Sequence, residues 1–269
     1  MAIAISIVLA GFMGVILGML GAGGSIVTVP ILRYVVGFEA KEAIALSLAV
    51  VGVTSLIGAV GHWRSGNARL GVALPFGLVA MIGAYAGARL AVYFSGDTQL
   101  FLFALLMLAA AVSMLRKGSP DEPPPARAEG SRRWTRLALI GVLGFGMGVV
   151  TGLVGIGGGF MILPVLVILM RMSMREAVGT SLIVMAMKSV TGVLGYIDQV
   201  QIPWGFYSAF TAVAIVGIVA GTYLIQYVKP EQLKRAFAYF LFAMAALMLY
   251  NNREAIAEQA VHAAEWVLP

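Results

Sequence analysis

Gly18-Met-Leu-Gly21-Ala-Gly23-Gly24-Ser25 and Gly152-Leu-Val-Gly155-Ile-Gly157-Gly158-Gly159 decide the fold of this chain. Each stretch follows a long apolar run and opens a short one. A shift of 134 residues, which carries Gly18 onto Gly152, also aligns their flanks without a gap. Pro30 meets Pro164, and Lys41-Glu42-Ala43 meets Arg175-Glu176-Ala177. Ser47-Leu48 meets Ser181-Leu182, Ser55 meets Ser189, and Gly83 and Gly87 meet Gly217 and Gly221. In a chain with 33 glycines a single glycine match means little. A gapless register that includes proline and a basic-Glu pair means internal duplication.

The rest of the composition places both copies in a membrane. Apolar residues make up 61% of the chain and charged residues 11%, against roughly 25% charged in a soluble domain. That excess of apolar surface is satisfied by lipid. There is no cysteine, which excludes disulfides and thiolate chemistry. The net charge of +6 sits in short loops and reads as orientation in the bilayer, not as a nucleic-acid surface. The N-terminus lacks a basic n-region, its first cationic side chain being Arg33, and reads as a retained first membrane segment.

Apolar runs predict helices at 3–20, 25–37, 41–61, 70–94 and 99–116, and again at 136–153, 159–171, 175–196, 205–228 and 231–250. The runs 25–37 and 159–171 are too short for a span of about 20 residues and are predicted half-helices. The expected organisation is a first membrane repeat at 1–116, a polar Pro/Ser-rich cytoplasmic linker at 117–135, a second repeat at 136–250 and a tail at 251–269.

Loop charge orients the repeats, because Lys and Arg stay cytoplasmic. The loop 62–69 carries Arg64 and Arg69, whereas its repeat partner 196–203 carries only Asp198. The linker carries Lys117, Arg127, Arg132 and Arg133, and Lys229, Lys234 and Arg235 cluster near 229–235. Equivalent loops then lie on opposite sides. The expected fold is an all-α polytopic membrane protein of two inverted repeats, each a broken-helix hairpin plus three transmembrane helices. The alternative is a parallel arrangement with each glycine break inside one continuous span. Loop charge does not decide whether the hairpin's long arm crosses fully.

The breaks are the candidate site. A helix start at membrane depth leaves N–H groups that need a partner, and an anion is one. With inverted halves, two such starts are expected to converge near the midplane. The backbone of Gly21, Gly23, Gly24 and Ser25 and that of Gly155, Gly157, Gly158 and Gly159 form the expected cradle. Pro30 and Pro164 are expected to loosen the half-helices they sit in. The pairs Gly83/Gly87 and Gly217/Gly221 read as close helix packing.

Lys188 lies mid-span, where a cation is costly and functional by default. It is expected to pair with the anion or carry a proton. Its repeat partner is Thr54. Ser47 and Ser181 lie on the same two related helices and are expected to line a cavity, with Thr180, Ser55 and Ser189 beside them. His62 and Tyr196 occupy equivalent span ends and read as interfacial anchors, like Trp63, Trp134 and Trp204, with a gate as the alternative. Lys41-Glu42 and Arg175-Glu176 read as helix starts with surface pairs, and Arg89 as a snorkelling cation. No carboxylate stands at mid-span. No nucleophile–base pair or metal set is apparent, so an enzyme is not expected, nor a cofactor or metal.

The doubled pattern Gly-x-x-Gly-x-Gly-Gly-(Ser or Gly)-x-x-x-x-Pro-x-Leu resembles the TauE/SafE-type sulfite exporter family, also called the toluene sulfonate uptake permease family. The resemblance covers nearly the whole chain outside linker and tail. It implies transport of sulfite, sulfoacetate or another organosulfonate across the bacterial inner membrane, coupled to an ion gradient, with the proton as the expected coupling ion. The expected partners are thus a small anion, a proton and the bilayer. A passive anion channel and a non-transporting membrane scaffold are the alternatives.

Overall fold

A computed structural model describes residues 2–21, 23–116, 131–154, 159–170, 172–196, 200 and 204–251. The first copy contains α1 (Ala2–Leu20), α2 (Gly23–Pro30), α3 (Ala40–Arg64), α4 (Leu70–Leu90) and α5 (Gly96–Arg116). The second contains α6 (Ser131–Val154), α7 (Gly159–Pro164), α8 (Met174–Tyr196), α9 (Trp204–Leu224) and α10 (Pro230–Asn251). Among the described residues there is no strand. Six helices, three per copy, are long and apolar enough to cross a membrane: α3, α4, α5, α8, α9 and α10. The protein is an all-α, multi-pass membrane protein. Helix α6 starts at Ser131, so it takes in the last residues of the stretch read as linker.

Both half-helices change pitch at their proline. Ile31–Val36 and Val165–Leu169 continue α2 and α7 as π-helical turns. Proline has no N–H to close the α-helical bond, and its ring crowds the preceding turn. The wider turn accommodates both. From Gly23 to Val36 the returning arm is about 21 Å long at 1.5 Å per residue, too short to span.

Helices α3 and α8 form the centre. Of their most apolar windows 67% and 61% are buried, against 39–44% for the four other long helices. They run antiparallel. Gly52 faces Ser189, Gly58 faces Leu182, and Gly179 faces His62, so numbers rise on one helix as they fall on the other.

Around this pair the copies pack reciprocally. Helix α1 lies on α9 of the other copy, and α6 lies on α4. Both crossings are built from glycines at matching positions: Gly14 and Gly18 with Gly217 and Gly221, Gly148 and Gly152 with Gly83 and Gly87. At each of the eight a Cβ would run into a backbone carbonyl of the facing helix. Only glycine allows backbones this close. Outward faces remain apolar: Val8, Val142 and Val216 are each more than 70% exposed, as lipid-facing side chains are.

The starts of α3 and α8 share one cap. Glu39 donates its N–H to Glu42 Oε2 at 3.2 Å, and Ser173 donates its own to Glu176 Oε2 at 3.2 Å. The expected surface pair within Arg175-Glu176 does not form. Glu176 instead takes a bidentate pair from Arg69, with both N–O distances 2.9 Å. Arg175 donates to the carbonyls of Gln226 and Val228. Since the Arg69–Glu176 pair is partly exposed, Arg69→Gln is expected to lower unfolding free energy in detergent by under about 1 kcal/mol. Complete loss of folded protein in that variant would contradict this.

Candidate functional site

The first break is a sharp turn held by α8. Helix α1 ends at Leu20, and Gly21 closes it with its N–H on Leu17 O at 2.8 Å. Its φ is +68°, a conformation that glycine adopts without strain. A Cβ there would lie 2.9 Å from both Ser181 Oγ and Val178 Cα, so α8 seals the turn. Gly23 and Gly24 form the first turn of α2. Gly24 sits against Leu17 and Met13 of α1, and its carbonyl accepts from Thr28 Oγ1 at 2.8 Å. Ser25 lies on the same turn; its side chain is outside the described set.

A helix that ends inside a membrane protein leaves its last carbonyls without helical partners. Each copy meets that need in the same way. In the first, His62 near the end of α3 donates from Nε2 to Gly18 O at 2.9 Å. In the second, Tyr196 at the end of α8 donates to Gly152 O at 3.2 Å and Leu153 O at 3.0 Å. The 134-residue shift relates both the donors and the acceptors. Both side chains are 0% exposed, which corrects the reading as interfacial anchors. Trp63 and Trp204, at 54% and 70%, do have the exposure an anchor needs.

The second break carries more polar chemistry. Gly155, Gly157 and Gly158 lie outside the described residues, and Gly159 opens α7. Just before them, Lys188 Nζ donates to Thr151 Oγ1 at 3.0 Å. Lys188 is 2% exposed. Among the described residues no carboxylate lies within ion-pair distance of it; Asp97 pairs with Arg33 and Glu176 with Arg69. The negative end of the α6 dipole is the local compensation for its charge. Thr151 was not anticipated, because its repeat partner is the apolar Leu17.

The remaining candidates divide. Thr54 Oγ1 is spent on its own helix, on Val50 O at 2.8 Å and Val51 O at 3.2 Å. Ser181 Oγ likewise donates to Val178 O at 2.8 Å, and Thr180 Oγ1 accepts from Arg69 N. The hydroxyls of Ser47, Ser55 and Ser189 are buried without a hydrogen-bond partner among the described residues.

The turn at Gly21 sits at Val178–Ser181 of α8. The last turn of α6 is met from α8 by Lys188 through Thr151 and by Tyr196 through Gly152 and Leu153. What touches near the middle is the pair of returning arms: α2 packs on α7, with Ile26, Val29, Ile162 and Leu163 in one core. The end of α1 is thus met by His62, and the end of α6 by Lys188 and Tyr196, two chemically different surroundings; the expected convergence of the two breaks falls on 155–158, outside the described residues. A groove of about 660 Å³ between α3 and α8 is lined mainly by apolar side chains, among them Leu48, Val53, Leu56, Met187 and Val190, together with the hydroxyl-bearing Ser189 and Tyr207; none of its lining residues is charged.

A family model described as "Sulfite exporter TauE/SafE" matches residues 6–248. A "Probable membrane transporter protein" of Xylella fastidiosa (strain Temecula1) is 31% identical over 249 residues, 90% of this chain and 93% of its own length. The "Probable membrane transporter protein YdhB" of Bacillus subtilis is 30% identical over 242 residues, 88% of this chain and 96% of its own. No solved structure matches the chain.

Proposed function

Because the chain belongs to the sulfite exporter TauE/SafE family and is a multi-pass membrane transporter, we propose that it carries a small sulfur oxyanion or organosulfonate across the bacterial inner membrane, driven by a proton gradient. The observation that carries this reading is Lys188. A buried ammonium without a carboxylate partner among the described residues, set against the last turn of α6 beside a glycine break, is a site short of one negative charge. The anion binds there, between the ammonium and the backbone N–H groups of Gly155–Gly159. Ser47 stands in the first copy where Ser181 stands against Gly21 in the second. By that correspondence its hydroxyl, without a partner among the described residues, is the one that donates to the same anion. The halves insert in opposite orientations, a reading supported by loop charge and by the antiparallel course of α3 and α8.

The test is a thermal-shift screen of the purified protein against sulfite, sulfate, thiosulfate, sulfoacetate and taurine. A ligand at a hundred times its Kd stabilises the folded state by about 2.7 kcal/mol. A clear rise with one or more of the anions is expected, and a flat response to all five overturns the substrate class. Counterflow in proteoliposomes then separates a carrier from a channel, since a channel cannot concentrate labelled anion against its gradient.

A further inference from the structure

We propose that His62 is the residue that takes up and releases the coupling proton. This rests on the proton-driven reading above and deepens it. The geometry of the imidazole carries the argument. A carbonyl only accepts, so Nε2, at 2.9 Å from Gly18 O, bears the ring's hydrogen. Nδ1 is then the lone-pair nitrogen. It is buried and has no hydrogen-bond partner among the described residues. A basic nitrogen is thus held at the turn of a broken helix with nothing attached to it.

Among the described residues the surroundings offer helix-end dipoles rather than a fixed charge. Gly18 is in the last turn of α1, and His62 is itself in the last turn of α3. Both helix ends present the negative end of a dipole, which favours an imidazolium. Among its described residues α1 carries no ionisable side chain. Helix α9 meets this end of α3 through Thr222, opposite Gly61, and its Tyr223 bonds Tyr227. Helix α8 brings Gly179 against His62 Cβ, and its charged residues are engaged elsewhere, Glu176 with Arg69, Arg175 with two carbonyls and Lys188 with Thr151. Arg64, two residues along α3, is exposed.

Protonation adds one hydrogen ion at Nδ1 and leaves an imidazolium with hydrogens on both nitrogens. Release from Nδ1 restores the neutral ring, so one proton moves per cycle. Among the described residues the new Nδ1–H has no acceptor, and a buried donor without one is costly. The neutral ring therefore fits this arrangement of the α1–α2 turn, and the protonated ring favours another. That differential is what a coupling site requires. The second copy supplies the contrast: Tyr196 makes the equivalent bond with a phenol, which caps the helix without trading protons near neutral pH.

The experiment compares wild type with His62→Tyr, which installs the donor found at the equivalent position. Each is reconstituted with whichever of sulfite, thiosulfate or sulfoacetate gives the largest thermal shift. His62→Tyr is expected to bind that anion with unchanged affinity and to perform counterflow, while an imposed pH gradient no longer drives accumulation and the anion-linked change in internal pH disappears. His62→Gln, which keeps an N–H donor, replaces it if the ring does not fit. Accumulation by either variant that follows the pH gradient as in wild type overturns the assignment to His62. A wild-type protein that concentrates the anion without any response to pH overturns the proton-driven reading itself, which separates the two failures.

Discussion

Lys188→Met raises the melting temperature of the ligand-free protein and removes its response to sulfur anions. The two effects have one cause. Lys188 is 2% exposed, and among the described residues its ammonium is bonded through Thr151 Oγ1, an uncharged partner. An ammonium held in an apolar interior loses its hydration, and a dipole end returns only part of that loss. Methionine is nearly the same length and fills the space without the charge. Replacing buried charges by well-packed apolar residues is commonly neutral or stabilising, and a gain on the order of 1 kcal/mol is expected. A hydrogen bond to a charged group is worth about 1.5–3 kcal/mol, so affinity should fall by at least about tenfold and transport with it. Thr151→Val, which removes the partner and keeps the cation, should destabilise instead. If Lys188→Met were to lower the melting temperature and leave anion affinity intact, Lys188 would be a structural lysine, and the anion site would have to be sought elsewhere.

Gly148→Ala and Gly217→Ala leave little folded protein. Each adds a single methyl group, and at each the methyl lands on a carbonyl of the facing helix, at Ala80 and Gly11 respectively. Backbone stands on both sides, so no side chain is free to swing away. Relief requires the helices to part, which empties the contacts that hold α6 on α4 and α1 on α9. Overpacking usually costs about 1–3 kcal/mol, and a backbone-on-backbone contact belongs at or above the top of that range. The measure is the monodisperse fraction by size exclusion after solubilisation. Gly146→Ala, on α6 with open space around its Cβ, is the control and is expected to behave as wild type. Wild-type yields from Gly148→Ala would mean that this crossing is looser than described.

Much of this was readable before any coordinates. Glycine and proline are statements about backbone, so the duplication, the broken helices and the loosened turns after Pro30 and Pro164 were visible in the chain itself. Lys188 stood out because a cation interrupts an apolar run. Depth was not readable. Nothing in Gly18–Ser25 says how far α1 has travelled when it breaks, and its 19 residues carry it to the far end of α3. His62 and Tyr196 were misread because a polar aromatic at the end of a span looks the same in sequence whether it faces headgroups or the carbonyls of a neighbouring helix. The signal that distinguishes them was present in the duplication: each lies 44 residues after a glycine that the 134-residue shift also pairs.

The reciprocal glycine crossings bear on how such a protein changes shape. Each clasps the first helix of one copy to the fourth of the other. A rocking of residues 1–116 against 136–250 would tear both clasps at once. The moving bodies are therefore not the two halves of the gene product: α1 travels with α9 and α6 with α4, so each mechanical unit is stitched together from both copies. It also follows that the covalent join is not what keeps the copies associated, and a chain cut within the linker should remain one particle.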